Sequence, residues 1–352
     1  MHDVGARLVE RGHAVRLITG QPTGLTSRDQ VDGVRVRYVR TPLPRALAAR
    51  GWSRENAFAA VAAAGAATSS ADVVVSYLYG DAYGAALARR LPGKHRRPLV
   101  LKLTGAVPRW WHEQHGSRVD RGFLRRALDA ADEVWVNSQY VVDAMADWGR
   151  PMSVVPAGLD ERTFAPAAER APEPLVLCTS APDEPRKRLV DLLDGWRLVR
   201  AALPTAELVL AQRTSEQTQR ELVARLHPED RGSVRFVGLL DDAALAQAYS
   251  SAWAVVAPSI HEAFGLVTLE ALACGTPVAG ARSGATPELL SVAGTGVLFE
   301  PMDPPSLAES VVATTQLAHE PDVRARCRER ALRYAWPGVV DDYERRLGAL
   351  LA

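Results

Sequence analysis

The chain has 352 residues, with 42 Lys and Arg against 41 Asp and Glu, and 47% of the residues are hydrophobic. This length exceeds that of one ordinary domain and fits two domains of about 150–180 residues each. The net charge of +1 argues against a nucleic-acid partner held by a bulk positive field. The high apolar fraction argues against intrinsic disorder.

The three cysteines, Cys178, Cys274 and Cys327, form no Cys-x-x-Cys pair and predict reduced thiols, without disulfides or a zinc site. No segment reaches the eighteen or so apolar residues that a membrane span needs. The N-terminal residues lead directly into an amphipathic pattern and do not resemble a signal peptide. We therefore expect a soluble cytoplasmic protein. A peripheral contact with the inner face of the cell membrane stays open as an alternative.

The chain opens with a helical pattern that ends at the turn Arg11-Gly12-His13. A doubly wound domain normally begins with a strand and a glycine-rich turn before its first helix, so a strand of about five residues is expected to be missing. A start codon placed too far downstream would explain this beginning. A genuinely altered first domain is the alternative.

Short β-branched segments then alternate with helical patterns, which predicts parallel sheets covered by helices on both faces. A stretch rich in Pro and Ala, residues 164–174, interrupts the alternation and indicates two such series. Strands are predicted at residues 14–19, 34–39, 73–76, 99–103, 134–137, 153–156, 175–179, 207–211, 234–237, 253–257, 277–280 and 297–299. A helix is predicted over residues 139–148.

The strongest local signal lies in residues 258–288. A loop with His261 and Glu262 follows a strand, and Gly265 lets the backbone approach a ligand closely before a helix begins. The first turn of that helix has unpaired N–H groups and the positive end of the dipole. The segment therefore predicts a site for a phosphate or diphosphate.

Glu262 and Glu270 lie near the start of this helix. Carboxylates repel phosphate, so these two are better suited to accept hydrogen bonds from sugar hydroxyls at either end of a diphosphate. Two glutamates eight residues apart are also common on ordinary surfaces. The surrounding glycines favour the functional interpretation, and Gly275 predicts that the helix ends at Cys274.

Residues 262–278, EAFGLVTLEALACGTPV, resemble the donor-binding signature of glycosyltransferase family 4, the retaining enzymes with the GT-B fold. The resemblance extends over nearly the whole chain through weaker motifs. These are LVERGHAV at 8–15, VVPAGLD at 154–160 with Phe164 and Pro166, SGATPE at 283–288 and YAW at 334–336.

The resemblance implies two Rossmann-like, doubly wound domains that face a cleft. Residues 1–160 would form the acceptor-side domain, completed by a C-terminal helix at 337–352, and residues 161–336 the nucleotide-sugar-binding domain. It further implies that a sugar passes from a nucleotide-diphosphate donor to an acceptor with its anomeric configuration kept.

By the same resemblance, Glu262 would contact the donor sugar and Glu270 the ribose. The amides of Gly265, Leu266 and Val267, which follow Phe264 in the donor-binding segment, would receive the distal phosphate. Glu288 matches a further carboxylate near the cleft, and a helix-capping surface residue is an equal alternative for it.

A second cluster, Asp183-Glu184-Pro185-Arg186-Lys187-Arg188, directly follows the strand at 175–179. Cations at this position suit the negative charge that develops as a nucleoside diphosphate departs. Lys187 matches the lysine of the family. The family's arginine is replaced by Pro182, so its role is vacant or moves to Arg186 or Arg188. A run of cations is otherwise typical of a solvated surface.

The first-domain loop after Lys102 leads into Trp110, Trp111 and His112, with His115 beyond. The tryptophans could line an acceptor groove, although core packing is commoner. His112 is not assigned a catalytic role. Residues 118–128, with Arg118, Arg121, Arg125 and Arg126, predict a solvated basic helix.

We therefore predict a metal-independent hexosyltransferase that needs no cofactor besides its nucleotide-sugar co-substrate. The chain lacks an Asp-x-Asp motif, and no residue pair is an obvious nucleophile and acid/base, which favours front-face displacement. The acceptor is a glycan, a lipid-linked compound or a small molecule, and no nucleic acid is involved. A catalytically impaired accessory subunit is the main alternative. It is supported by the missing strand, by the missing arginine and by the first-domain loop, where Thr104 or Gly105 stands in place of a histidine that the family often carries. A sugar-nucleotide epimerase would need an acid/base set in the first domain, which the sequence does not show. A nicotinamide oxidoreductase is disfavoured because no Gly-x-Gly-x-x-Gly follows a strand.

Overall fold

The computed structural model describes residues 2–21, 27–41, 45–50, 54–90, 97–109, 117–182 and 184–352. The chain divides into two compact units, Met1–Pro156 with Pro337–Ala352, and Ala157–Trp336. Parallel strands alternate with helices in both units, which confirms the predicted α/β class.

The first unit begins with a helix, as the opening pattern predicts. Its elements are α1 (His2–Glu10), β1 (Arg16–Gln21), β2 (Ser27–Val31), β3 (Val34–Arg40), α2 (Arg45–Ala48), α3 (Arg54–Thr68), β4 (Val74–Ser76), α4 (Tyr79–Ala88), β5 (Leu99–Leu103), α5 (Arg118–Ala130), β6 (Glu133–Val136), α6 (Gln139–Ala144) and β7 (Ser153–Val154). The C-terminal helix α14 (Trp336–Ala349) also belongs to it from Pro337 onward.

The strands of the first unit lie in two sheets, ordered β1-β3-β2 and β4-β5-β6-β7. The usual doubly wound order, 3-2-1-4-5-6, places the first strand in the middle of one sheet. In this unit β1 and β4 lie in different sheets.

Strand β2 is absent from the predicted strands. It pairs antiparallel with β3 through a turn in which Asp32 has φ 48° and Gly33 has φ 76°. An Asp-Gly turn with both residues at positive φ is the tight hairpin connection favoured by the twist of strands. The Val-Asp-Gly-Val sequence at 31–34 carried this signal, and the prediction missed it.

The predicted helix at 139–148 is interrupted. The α-helix α6 ends at Ala144, and a 3-10 turn, Ala146–Trp148, continues to Gly149 at φ 65°. The apolar face is as predicted at Val141 and Met145, which are fully buried. The tighter last turn is a common way for a helix to end.

Helix α14 packs on the first unit through its apolar face. Tyr343 is buried, and its ring meets that of Trp135 edge-on, with the centroids 5.1 Å apart. Arg11, in the turn that follows α1, donates to Glu344 at 2.6 Å. Lys102 in β5 is 2% exposed, and its Nζ donates a hydrogen bond to the Val155 carbonyl.

The second unit has a six-stranded parallel sheet, ordered β10-β9-β8-β11-β12-β13. Strands β8, β11 and β12 are buried on both faces, which explains their continuous apolar sequences. The elements are β8 (Leu175–Cys178), α7 (Leu189–Ala202), β9 (Glu207–Leu210), α8 (Glu216–Arg225), β10 (Val234–Phe236), α9 (Asp242–Ser251), β11 (Ala254–Ala257), α10 (Leu266–Ala273), β12 (Val278–Ala281), α11 (Thr286–Leu289), β13 (Gly296–Phe299), α12 (Pro304–Leu317) and α13 (Val323–Leu332).

The three cysteines lie in or beside the core of the second unit as free thiols. Cys178 ends β8, Cys274 follows α10 and Cys327 lies in α13, and all three are buried. The prediction of unpaired thiols is confirmed.

Candidate functional site

The strand order of the second unit reverses between β8 and β11. From β8 the chain proceeds to β9 and β10 on one side, and from β11 to β12 and β13 on the other. In open parallel sheets, ligands bind beyond the carboxyl ends of the strands at such a reversal. The loops after β8 and β11 begin there, and these loops contain the predicted site residues.

Glu262 forms ion pairs with two of the three cations in the loop after β8. Lys187 Nζ lies 2.9 Å from Glu262 Oε2, and Arg186 Nη1 lies 3.3 Å from the same oxygen. Lys187 and Glu262 are each about one-fifth exposed, whereas Arg186 is half-exposed and also pairs with Glu184 at 3.0 Å. Residues 75 and 76 positions apart in the sequence thus form one charged cluster.

Arg188 lies outside this cluster, although it follows Lys187 directly. Its backbone has φ 49°, and its guanidinium donates to both carboxylate oxygens of Asp191, at 2.8 Å and 2.6 Å. The buried carboxylate of Asp191 lies in the first turn of α7. Arg188 is therefore anchored to the helix that follows it.

Two hydrogen bonds with the loop after β12 hold the His261-Glu262 segment in place. The Ala285 amide donates to the Glu262 carbonyl at 2.8 Å, and the His261 amide donates to Ser283 Oγ at 3.0 Å. His261 has φ 56°, which is uncommon for a residue with a side chain and is often found at functional sites. A Cβ atom on Gly284 would lie 2.4 Å from the Glu262 backbone, so only glycine permits this approach.

Helix α10 begins and ends as predicted. Gly265 is its N-cap at φ 96°, and the first turn is closed by the Leu269 amide bonding the Gly265 carbonyl at 3.1 Å. The amides of the first turn have no acceptor within the helix, and the Leu266 side chain is exposed. At the other end, Cys274 caps the helix and Gly275 has φ 82°.

Phe264 and Glu288 lie beside this helix start. The Phe264 ring is buried in the core, edge-on to Tyr334 with the centroids 5.7 Å apart. Glu288 is half-buried on the short helix α11, and its backbone carbonyl accepts from Arg330 at 2.5 Å. Phe264 directly precedes Gly265, and Leu289, the residue after Glu288, contacts Gly265 through its side chain.

Glu270 faces helix α9. The Tyr249 hydroxyl donates to Glu270 Oε2 at 3.1 Å. Burial raises the pKa of Glu270 to about 7, while the Tyr249 hydrogen bond lowers it. Tyr249 was not among the predicted site residues, because its contact depends on how α9 and α10 pack.

In the first unit, the backbone carbonyl of Thr104 accepts a hydrogen bond from Asn137 at 3.1 Å. The basic helix α5 forms as predicted and is capped by Ser117, with Arg125 and Arg126 exposed. The remaining predicted residues of this region, Trp110, Trp111, His112 and His115, and Asp183 of the second unit lie outside the described residues.

Within the described ranges, no group of three or more His, Cys, Asp or Glu side chains is arranged to hold a metal ion. None of the helices in the part of the chain described here has the length and apolarity to span a membrane.

Two family profiles match the chain in succession. Residues 1–163 match Glycosyltransferase Family 4, and residues 173–316 match Glycosyl transferases group 1. The chain belongs to glycosyltransferase family 4. The resemblance carried by residues 262–278 is thus confirmed, and the family 4 profile also covers the half whose motifs were weak.

Two curated relatives are about 30% identical to this chain. The chain is 30% identical over 256 residues to a phosphatidyl-myo-inositol mannosyltransferase of Mycobacterium leprae, a match covering 71% of the chain and 63% of the relative. It is 31% identical over 255 residues to D-inositol 3-phosphate glycosyltransferase 2 of Catenulispora acidiphila, covering 64% and 59%. The matches thus span less than two-thirds of these relatives.

Solved structures support the fold of this family 4 chain. Sucrose-phosphate synthase from Thermosynechococcus elongatus superposes with a TM-score of 0.78 at 21% identity, covering 99% of the chain and 92% of the neighbour. Anabaena HepE in complex with UDP gives 0.69 at 20% identity, covering 90% and 87%. The GT-B fold predicted from the sequence is confirmed.

Proposed function

We propose that this chain is a retaining glycosyltransferase that moves a hexosyl group from a nucleotide-diphosphate donor to an acceptor hydroxyl. The observation that carries the proposal is the charged cluster of Glu262, Lys187 and Arg186 beside the amide-rich start of α10. It lies at the strand-order reversal where ligands of parallel sheets bind. Membership of family 4 supports it.

The donor diphosphate would lie at the first turn of α10. The amides of Gly265, Leu266 and Val267 have no acceptors within the helix, and the helix dipole adds a partial positive charge. Glu270, one and a half turns further on, would accept from the ribose hydroxyls. Glu262 would accept from the donor sugar, whose hydroxyls are hydrogen-bond donors.

Lys187 and Arg186 would stabilise the departing nucleoside diphosphate. As the bond between the anomeric carbon and the diphosphate oxygen breaks, negative charge develops on that oxygen, and cations fixed beforehand lower the barrier. The acceptor oxygen would attack the same face, and its proton would pass to the leaving phosphate. We further propose that these fixed cations make a metal ion unnecessary, and that Arg186 takes the place left by Pro182.

The comparisons suggest which substrates to test first. HepE binds UDP, and two relatives are named for inositol-containing acceptors. We therefore propose a nucleotide-sugar donor and a polyol, glycan or lipid-linked acceptor. Buried free thiols fit a cytoplasmic location, where nucleotide sugars are available to the enzyme.

The test is a transfer assay with purified chain, in the presence of a metal chelator. UDP-glucose and GDP-mannose are offered with inositol phosphate or with vesicles containing phosphatidylinositol, and products are identified by mass spectrometry. The anomeric configuration of the product is read from its proton NMR spectrum. We expect transfer from one donor, with retention, in the wild type.

The same assay is run with the variant Glu270→Ala. This substitution should weaken donor binding without disturbing the Glu262 cluster. Donor binding by the wild type with neither hydrolysis nor transfer would contradict the proposal and favour an accessory subunit. Loss of transfer on chelation would contradict metal independence alone.

A further inference from the structure

Tyr249 lies in the core of the second unit, next to α10, the helix to which we assign the donor. It is fully buried, and its ring packs against Phe164 with the centroids 6.2 Å apart. Its backbone carbonyl accepts from Thr276 Oγ1 at 2.7 Å, which ties this part of α9 to the segment after α10. The ring is therefore held in place, and the side chain loses little freedom when its hydroxyl bonds a partner.

That partner is Glu270. The hydroxyl donates to Oε2 at 3.1 Å, whereas the other carboxyl oxygen has no part in this bond. A carboxylate that accepts on one oxygen from a rigid donor is restricted in its rotation. Tyr249 thus limits the directions in which the second oxygen can accept from a ligand.

The charges around Glu270 are few. Burial has the largest effect and raises the pKa of Glu270 to about 7. From α9, the hydrogen bond of Tyr249 lowers this pKa and the charge of the exposed Asp242 raises it. From α10, Cys274 lies next to it in the same buried region. The guanidinium groups of α13, Arg324 and Arg328, act on Cys274.

We propose that Tyr249 is a positioning residue that presents Glu270 to the donor ribose and couples donor binding to the loss of a proton from Glu270. The inference rests on the proposed function, because it takes the ribose as the ligand of Glu270. Only the ionised carboxylate can accept hydrogen bonds on all its sites. A donor that binds this form therefore releases a proton near neutral pH.

The experiment is titration calorimetry of wild type and Tyr249→Phe with UDP-glucose and GDP-mannose. Their diphosphates have no terminal phosphate group and therefore lack the ionisation that such a group has near neutral pH. In the wild type, affinity should rise through pH 7 and then level off. In Tyr249→Phe the midpoint should move to higher pH, with donor affinity about tenfold weaker at pH 7 and less so at pH 9. Buffers of different ionisation enthalpy should report proton release in the wild type.

Two controls separate positioning from packing. Glu270→Gln should bind weakly with no midpoint in this range. Tyr334→Phe removes a hydroxyl from the same core, one that accepts from Arg330 at 3.3 Å, and should keep the wild-type midpoint. An unchanged midpoint in Tyr249→Phe would overturn the inference and leave the proposed function standing. Absence of donor binding in the wild type would overturn both.

Discussion

Lys187 Nζ and Glu262 Oε2 lie 2.9 Å apart, and Arg186 shares the same oxygen. We propose that Lys187 binds the diphosphate and that Glu262 binds the donor sugar. In the structure, these two side chains pair with each other. If a diphosphate binds at the start of α10, it competes with Glu262 for these cations. The ion pair keeps them in position at the cost of some binding energy.

Glu262→Gln should therefore affect binding and turnover in opposite directions. The neutral amide leaves Lys187 and Arg186 without their anionic partner, so UDP or GDP should bind about fivefold more tightly. Transfer should fall, because the donor sugar loses a charged acceptor. Calorimetry with both nucleotides and steady-state kinetics measure the two effects.

The matched control is Glu184→Gln. Glu184 pairs with Arg186 at 3.0 Å but is half-exposed, and the pair between Lys187 and Glu262 stays intact. Its nucleotide affinity should change less than about twofold. Weaker nucleotide binding by Glu262→Gln would show that Glu262 does not compete with the diphosphate.

Gly284→Ala should disable the site through the backbone. The new Cβ would lie 2.4 Å from the nitrogen and oxygen of Glu262, which must then move. We expect transfer to fall on the order of a hundredfold. The control is Gly238→Ala, a residue at φ 75° with open space around it, against φ 63° for Gly284. In Gly238→Ala the alanine must adopt the left-handed backbone conformation, which costs about 1–2 kcal/mol, and the variant should retain activity. Equal losses of activity in the two variants would contradict the steric argument.

Lys187→Ala should chiefly lower kcat. Its side chain is only about one-fifth exposed, so solvent screens its charge less than that of an exposed lysine. A loss on the order of a hundredfold is expected, with a smaller change in KM. Arg225→Ala, which breaks the exposed pair with Asp194 at 2.6 Å, is the control for removing a cation. A change confined to KM would assign Lys187 to ground-state binding.

Lys102 should make stability depend on pH. Burial lowers its pKa to about 7, below the usual 10.5, so between these values the unfolded chain binds more protons than the folded one. The free energy of unfolding therefore rises with pH across this window. Relative to Lys102→Met, the wild type should gain about 2 kcal/mol from pH 7 to pH 9 in urea unfolding. Parallel curves for the two proteins would contradict the assignment.

Local backbone chemistry made part of the site predictable. Gly265 and Gly275 mark the start and end of α10, because each takes a positive φ that other residues rarely adopt. Lys187 and Glu262 follow strands, so the sequence indicates that both lie at the carboxyl end of a sheet. The two strands, β8 and β11, are neighbours in the sheet, and no local sequence pattern indicates this.

Other features depend on packing between distant segments. The bond between Tyr249 and Glu270 requires α9 to lie beside α10, and a buried tyrosine in a helix is otherwise an ordinary core residue. Arg188 differs from Arg186 only through its positive φ and the carboxylate of Asp191. The hairpin of β2 was predictable from Asp32-Gly33, so its omission is an error of interpretation.

The buried cysteines have a practical consequence. Burial raises the pKa of Cys274 and Cys327 to about 12 and also raises that of Cys178, which keeps the native thiols protonated and shielded from reagents. A cysteine introduced at an exposed position such as Leu239 would then be the one that reacts with a maleimide fluorophore. The protein can therefore carry a single fluorescent label without substitution of its native cysteines.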